Sequence, residues 1–347
     1  MKSENILIFC QAPADIPYVL TIYEKYKETN SISIFVINVK GIFDFIDQLN
    51  LKLEQLVFIP YELKSIKNIR HLYNERKRIK SLVRLYFSDI QGSEVYFFSR
   101  YEDWLTAFFV HEISANKSVV INYCNHYDTA AEVLPKTSKL TIRIVFYLVL
   151  LRYLTRIWFK VNYRDKLPEF NVNKYEIKEV EFLLDSNLFT RYQFYNKPRL
   201  TKKLRILFFI APCDEKIFMV EDHNRILIDI IEGFRKEGYF ITVKGHPRTG
   251  APNLIKDKVD FIIPEYVPAE FINKNEFDLF LGISTNAIIH YTKDKDTPTY
   301  SLMEIFPANN VALHTGIINF LKQQSGGKIK FIKSIKDLMV ICHKLKT

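Results

Sequence analysis

The chain has 347 residues, long for one hydrophobic core, so two domains are expected. Its apolar fraction of 48% and charged fraction of 25% are those of a globular protein, and Phe (28) and Tyr (20) are heavily used. The formal net charge of +10 favours an anionic partner: nucleic acid, a nucleotide or an anionic membrane surface.

Strands and helices alternate along the chain, which predicts parallel α/β sheets. Asn5 to Phe9 reads as the first strand, followed by a loop containing Asp15 and a helix from about Tyr18 to Thr29. Ile32 to Val39 and Leu56 to Pro60 read as the next strands, and Ile66 to Leu85 as a long basic helix. Glu94 to Phe98 is a strand, Trp104 to Ile113 a helix, and Ser118 to Tyr123 a strand that runs into Asn125-His126-Tyr127-Asp128.

Lys139 to Val161 has an uncharged run, Ile144 to Leu151, far short of the roughly 20 residues that span a bilayer. Arg143, Arg152 and Arg156 interrupt or flank it. Two readings fit: a basic amphipathic helix in an anionic membrane interface, or a buried helix whose arginines reach the surface. Val161 to Lys203 is polar and irregular and reads as the interdomain connection, giving domains 1–200 and 201–347.

A second α/β series begins with the strand Leu204 to Ile210, then a helix from His223 to Glu237 with Asp222 as its N-cap. Three apolar runs follow: Tyr239 to Val243, Val259 to Ile263, and Asp278 to Leu281. Beyond them come Lys244-Gly-His246-Pro247-Arg248, Tyr266-Val-Pro268-Ala-Glu270, and Gly282-Ile-Ser284-Thr285-Asn286. Ligands of parallel sheets sit outside the carboxyl ends of strands, so the three pieces are expected to meet at one crevice. Cations and hydroxyls suit a phosphate, and a carboxylate suits ribose hydroxyls. His246 titrates near neutrality and can donate to a phosphate or protonate a leaving one. Ser284 and Thr285 precede a helical segment, where they serve either as an anion site or as ordinary caps. A strand from Thr299 and a basic helix from Ser334 to Lys346 complete the series.

The four cysteines, Cys10, Cys124, Cys213 and Cys342, are widely separated and form no C-x-x-C pair. That argues against a zinc site or a disulfide framework and for a reducing cytoplasm. The start of the chain lacks the apolar core and cleavage site of a signal peptide. With only 10 glycines there is no G-x-G-x-x-G or Walker A loop, which disfavours dinucleotide oxidoreductases and P-loop NTPases.

The order K-x-H-P-R, then P-x-Y-V-P-x-E, then G-x-S-T-N resembles the nucleotide-binding half of bacterial sialyltransferases. The type is that of lipooligosaccharide sialyltransferases and capsule polysialyltransferases, within a wider set that uses CMP-activated Kdo. The resemblance covers roughly Leu204 to His290. It implies a GT-B fold, α/β with two Rossmann-like domains facing across a cleft. It implies that His246, Ser284 and Thr285 bind the CMP phosphate, with Lys244, Pro247 and Arg248 beside them, and that Glu270 binds ribose. It implies inverting, metal-independent sialic acid transfer from CMP-sialic acid to a bacterial surface glycan, with no cofactor. A lipid-linked acceptor fits a cytoplasmic enzyme on the inner face of the inner membrane.

The amino-terminal half resembles the family more loosely, in Ile6-Leu-Ile-Phe-Cys-Gln-Ala-Pro and Glu94-Val-Tyr-Phe-Phe-Ser-Arg. The family's acidic motif, which supplies the catalytic base, is missing. Asn122 to Asp128 stands in its place, making Asp128 the first candidate base, His126 the second and Asp15 the third. Three alternatives stay open: a CMP-Kdo or other CMP-nonulosonate donor, a GT-B-like sugar-nucleotide epimerase binding UDP, and a basic nucleic-acid-binding protein. The last has no helix-turn-helix, RRM or zinc-finger pattern in its favour.

Overall fold

The computed structural model describes residues 5–61, 69–87, 90, 92–98, 104–125, 148–162, 167–184, 186–193, 203–246, 249–292 and 298–346. The chain folds as two compact units, Met1–Leu188 and Phe189–Thr347. The boundary expected at 200/201 lies outside the described residues.

The first domain runs β1 (Asn5–Cys10), α1 (Ile16–Tyr26), β2 (Ser31–Ile37), α2 (Lys40–Gln48), β3 (Gln55–Ile59), α3 (Ile69–Tyr86), β4 (Glu94–Phe97), α4 (Trp104–Ile113) and β5 (Val120–Cys124). Residues 148–155 form α5. Then come β6 (Phe159–Asn162), β7 (Leu167–Phe170), β8 (Lys178–Val180) and α6 (Ser186–Arg191), which crosses into the second unit. The main sheet has the order β3-β2-β1-β4-β5-β8 and every pairing in it is parallel.

Central strands of such a sheet are covered on both faces, so they read as unbroken apolar runs. β1 is NILIFC, buried from Ile6 onward. The surplus of phenylalanine goes into this core: Phe87 packs 5.2 Å from Phe9, 4.7 Å from Phe35 and 4.6 Å from Phe109, centroid to centroid.

The segment expected to be an interdomain connection is more ordered than its sequence suggests. It carries the antiparallel β6–β7 hairpin and β8, the sixth strand of the first sheet. The reason is physical: Lys-Glu-Val in β8 is a largely exposed edge strand with no apolar run of its own. Its pairing is dictated by Asn122 to Cys124 of β5. The short helix α2, which buries Ile42, Phe45 and Ile46, is equally unexpected from the sequence.

The second domain runs β9 (Arg205–Ile210), α7 (Val220–Lys236), β10 (Phe240–Gly245), β11 (Phe261–Ile263), β12 (Leu279–Gly282), α8 (Ala287–Tyr291), β13 (Thr299–Ser301), α9 (Val311–Gln324), β14 (Lys330–Phe331) and α10 (Ile335–Lys346). Its sheet repeats the same logic, in the order β11-β10-β9-β12-β13-β14, again all parallel. Arg205 grips Asp278 at the amino end of the β9–β12 pair, with Nη2 to Oδ1 at 2.7 Å and Nε to Oδ2 at 3.1 Å.

Helix α7 starts at Val220, three residues before the expected His223, and Asp222 lies in its first turn, paired with Arg225 at 2.6 Å, instead of capping it. His223 is buried between the rings of Phe218 and Phe306, and burial lowers its pKa. Helix α9, unexpected from the sequence, is capped by the Asn310 side chain, which accepts from the Leu313 N–H at 3.0 Å.

Candidate functional site

In the second sheet β9 is followed by β10 on one side, and β12 returns to its other side. The direction in which strands are added therefore reverses at β9, which makes the carboxyl ends of β9 and β12 the switch point where sheets of this kind bind ligands. The three sequence motifs all lie on that edge: His246 follows β10, Glu270 follows β11, and Ser284 and Thr285 follow β12. β10 and β12 flank β9, which sets their axes about 9–10 Å apart.

His246 is exposed at the head of a tight loop. Its N–H donates to the Gly250 carbonyl at 3.2 Å, and the Gly250 N–H donates back to the His246 carbonyl at 2.8 Å. Two glycines make this closure possible. A Cβ on Gly245 would stand 2.4 Å from the Ala251 nitrogen, and Gly250 has φ +71°, where a Cβ would run into Glu265 Oε1. Pro247 and Arg248, inside the loop, lie outside the described residues.

Two residues back, Lys244 is only 3% exposed. Its Nζ donates to the Gly245 carbonyl at 2.7 Å and to the Glu265 carbonyl at 3.2 Å. Burial pushes its pKa down to about 8, against the opposing pull of the Glu265 and Glu270 carboxylates. The ammonium is thus a charge held at a cost beneath the loops that carry His246 and Glu270.

That cost has a measurable sign. Between about pH 8 and 10.5 the unfolded chain holds the Lys244 proton and the folded protein does not. Stability therefore rises with pH through this window, by at most roughly 1.4 kcal/mol for each step of one in pH. Lys244→Met should flatten this contribution. Denaturant unfolding of both proteins at pH 7.5 and pH 10 measures it, and parallel changes in the two would exclude the buried ammonium.

Glu270 is half-buried in a 3-10 turn, Ala269–Phe271. Tyr291 fixes this turn from below. Its hydroxyl donates to the Ala269 carbonyl at 2.5 Å, and its ring stacks 4.4 Å from Phe280. Burial, with the Glu270 charge adding to it, pushes the Tyr291 pKa well up, so this phenol stays a donor. On the next loop Ser284 is exposed and Thr285 half-buried. Thr285 Oγ1 accepts from the Ala287 N–H at 3.2 Å, which is a capping contact. α8 is only five residues long, so the hydroxyls, more than any helix field, are what this loop offers an anion. A hydroxyl that accepts still has its own hydrogen to donate.

Sequence reasoning did not pick out Glu265 or Tyr291. Glu265 had a local signal, five residues before Glu270, whereas Tyr291 is tied to the site only by the packing of α8.

In the first domain Asp15 is fully buried. Its Oδ2 accepts from the Gln11 and Ala12 N–H groups, both at 2.8 Å. Its charge also adds to the effect of burial in raising the Cys10 and Cys124 thiols. This geometry makes Asp15 the anchor of the loop after β1. His126 and Asp128 lie outside the described residues. Among the described residues no group of three or more His, Cys, Asp or Glu side chains is placed to hold a metal ion.

No protein-family model matches the chain, and no curated protein matches its sequence. In structure it is similar to the UDP-N-acetylglucosamine 2-epimerase of Rickettsia bellii, at TM-score 0.45 and 9% identity, over 99% of this chain and 97% of that one. It is similar to the Neisseria meningitidis UDP-GlcNAc 2-epimerase bound to UDP-GlcNAc, at TM-score 0.42 and 12% identity, over 98% and 99%. It is also similar to the E. coli ADP-heptose LPS heptosyltransferase II, at TM-score 0.39 and 8% identity, over 99% and 100%. Likeness at this level carries no activity across. The strand orders themselves establish the fold class: α/β, with two Rossmann-like domains in one chain.

Proposed function

We propose that the protein is a GT-B glycosyltransferase that moves a sialic acid, or another CMP-activated nonulosonate, from its CMP donor to a sugar acceptor of a bacterial surface glycan. One observation carries this reading. His246, Glu270, Ser284 and Thr285 follow strands of one parallel sheet at its carboxyl edge, in the motif order that resembles the nucleotide-binding half of bacterial sialyltransferases. In this reading His246 and the two hydroxyls take the phosphate charge as CMP leaves, which lowers the barrier without a metal. Glu270, held by the Tyr291-anchored turn, takes the ribose hydroxyls. The acceptor hydroxyl loses its proton to Asp128, with His126 as the second choice, and direct attack inverts the anomeric centre.

A thermal-shift panel of CMP, UMP, UDP, GDP and AMP tests the donor. CMP at 100 times its Kd should stabilise the protein by about 2.7 kcal/mol, with no comparable shift from GDP or AMP. A shift with UDP and none with CMP would replace the donor and favour the sugar-nucleotide epimerase. A salt-insensitive CMP response excludes the nucleic-acid-binding alternative, whose affinity would fall steeply with salt.

A further inference from the structure

Helix α5 has two unlike faces. Leu148, Leu151 and Thr155 are buried, whereas Val149 is 63% exposed and Tyr153, one turn on, is 84% exposed. Arg152 and Arg156 lie on the same outward stripe and are exposed. Arg156 closes the helix with φ +61°, its N–H donating to the Arg152 carbonyl at 2.8 Å. Just beyond it, the half-buried Trp158 ring has the Arg152 guanidinium 3.5 Å and the Lys174 ammonium 4.6 Å from its centroid. No acidic residue occurs from Leu148 to Trp158.

Scattered exposed apolar side chains are ordinary on a protein surface. An aliphatic and an aromatic side chain interleaved with arginines on one helical stripe, beside a tryptophan under two cations, is a more specific arrangement. We propose that this face, Val149, Arg152, Tyr153, Arg156, Trp158 and Lys174, docks on the surface of an anionic lipid bilayer.

The chemistry matches on both counts. Tyr and Trp favour the headgroup level, where an apolar body and a polar tip are both satisfied. Arginines interleaved on that stripe meet anionic headgroups, each contributing roughly fivefold in affinity near such a surface. The contact is peripheral: among the described residues no helix is long and apolar enough to cross a membrane. A second copy of the chain fits less well, because a two-fold contact would set three cations against their own copies. A nucleic acid would satisfy the arginines and leave Val149 with no partner. This docking surface is independent of the donor chosen above.

Co-sedimentation of the full chain with vesicles decides it. The vesicles are phosphatidylcholine alone, and phosphatidylcholine containing phosphatidylserine. The protein should sediment with the second and stay in solution with the first. Arg152→Gln with Arg156→Gln should weaken binding on the order of tenfold or more. Val149→Ser with Tyr153→Ser should weaken the binding that persists at high salt, where charge attraction is screened. All four side chains are exposed, and unchanged circular-dichroism melting confirms that the variants fold. Equal sedimentation of wild type and both variants would overturn the proposal. So would tighter binding to an oligonucleotide that the arginine pair abolishes and the Val149/Tyr153 pair leaves intact. Dimerisation that either pair abolishes, without vesicle binding, would assign the face to a second copy instead.

Discussion

Asp128→Asn is expected to lower turnover of a CMP-activated sugar by about two to four orders of magnitude while CMP affinity holds. The substitution keeps the size and shape of the side chain and removes its ability to take a proton. An aspartate is ionised at neutral pH without any tuning, so it suits the acceptor-activating role that the reading requires. In the sequence it follows β5, which ends at Cys124, and the next residue, Asn125, is tied to Glu179 by its Nδ2 at 3.2 Å. The chain leaves the carboxyl edge of the first sheet there and enters the His126–Asp128 segment. Asp15, in the loop after β1, spends one oxygen on two backbone N–H groups. Single-turnover rates and a CMP titration of the same variant separate the outcomes. Near wild-type turnover would remove Asp128 and transfer the role to His126. Loss of both turnover and CMP binding would show that the residue supports the fold instead.

His246→Ala should weaken CMP binding by roughly 10- to 100-fold, the usual worth of a hydrogen bond to a charged group. The side chain is exposed, and its backbone is held by the reciprocal pair with Gly250, which alanine preserves. Melting of the variant and wild type in the absence of ligand separates lost affinity from lost stability. Calorimetric titration gives the answer directly. Unchanged affinity would remove His246 from the site and with it the observation on which the CMP reading rests.

The carboxyl edge of the second sheet and helix α5 were not equally legible in the sequence. For His246, Glu270, Ser284 and Thr285 the sequence already placed each residue after a short apolar run, because parallel strands buried on both faces leave an unmistakable hydrophobic trace. The strand ends agree to within a residue or two: the run from Tyr239 became β10 at Phe240–Gly245, and the run before Gly282 became β12 at Leu279–Gly282. Trp104–Ile113 became α4 without change. Elements that lack such a trace were lost. β8 is three residues, two of them exposed, and its strand character exists only because β5 offers an edge. α2 is amphipathic but only nine residues long, and α9, whose apolar stripe is weak, depends on a cap at Asn310.

The sequence by itself determined that this is a two-domain α/β protein, which residues close the strands of its second sheet, and that its surface is basic. Those properties depend on local periodicity and composition, which each segment carries alone. Only the tertiary structure decided what the charges do. It buried Lys244 under two carbonyls, where desolvation lowers its pKa, although a lysine in a strand reads as exposed. It turned Asp15 inward to hold its own loop and used Tyr291 to pin the turn of Glu270. It left Val149 and Tyr153 facing water beside Arg152 while burying Leu148 and Leu151 one face away. Burial and hydrogen-bond partners arise from segments distant in the chain, so no window of sequence contains them.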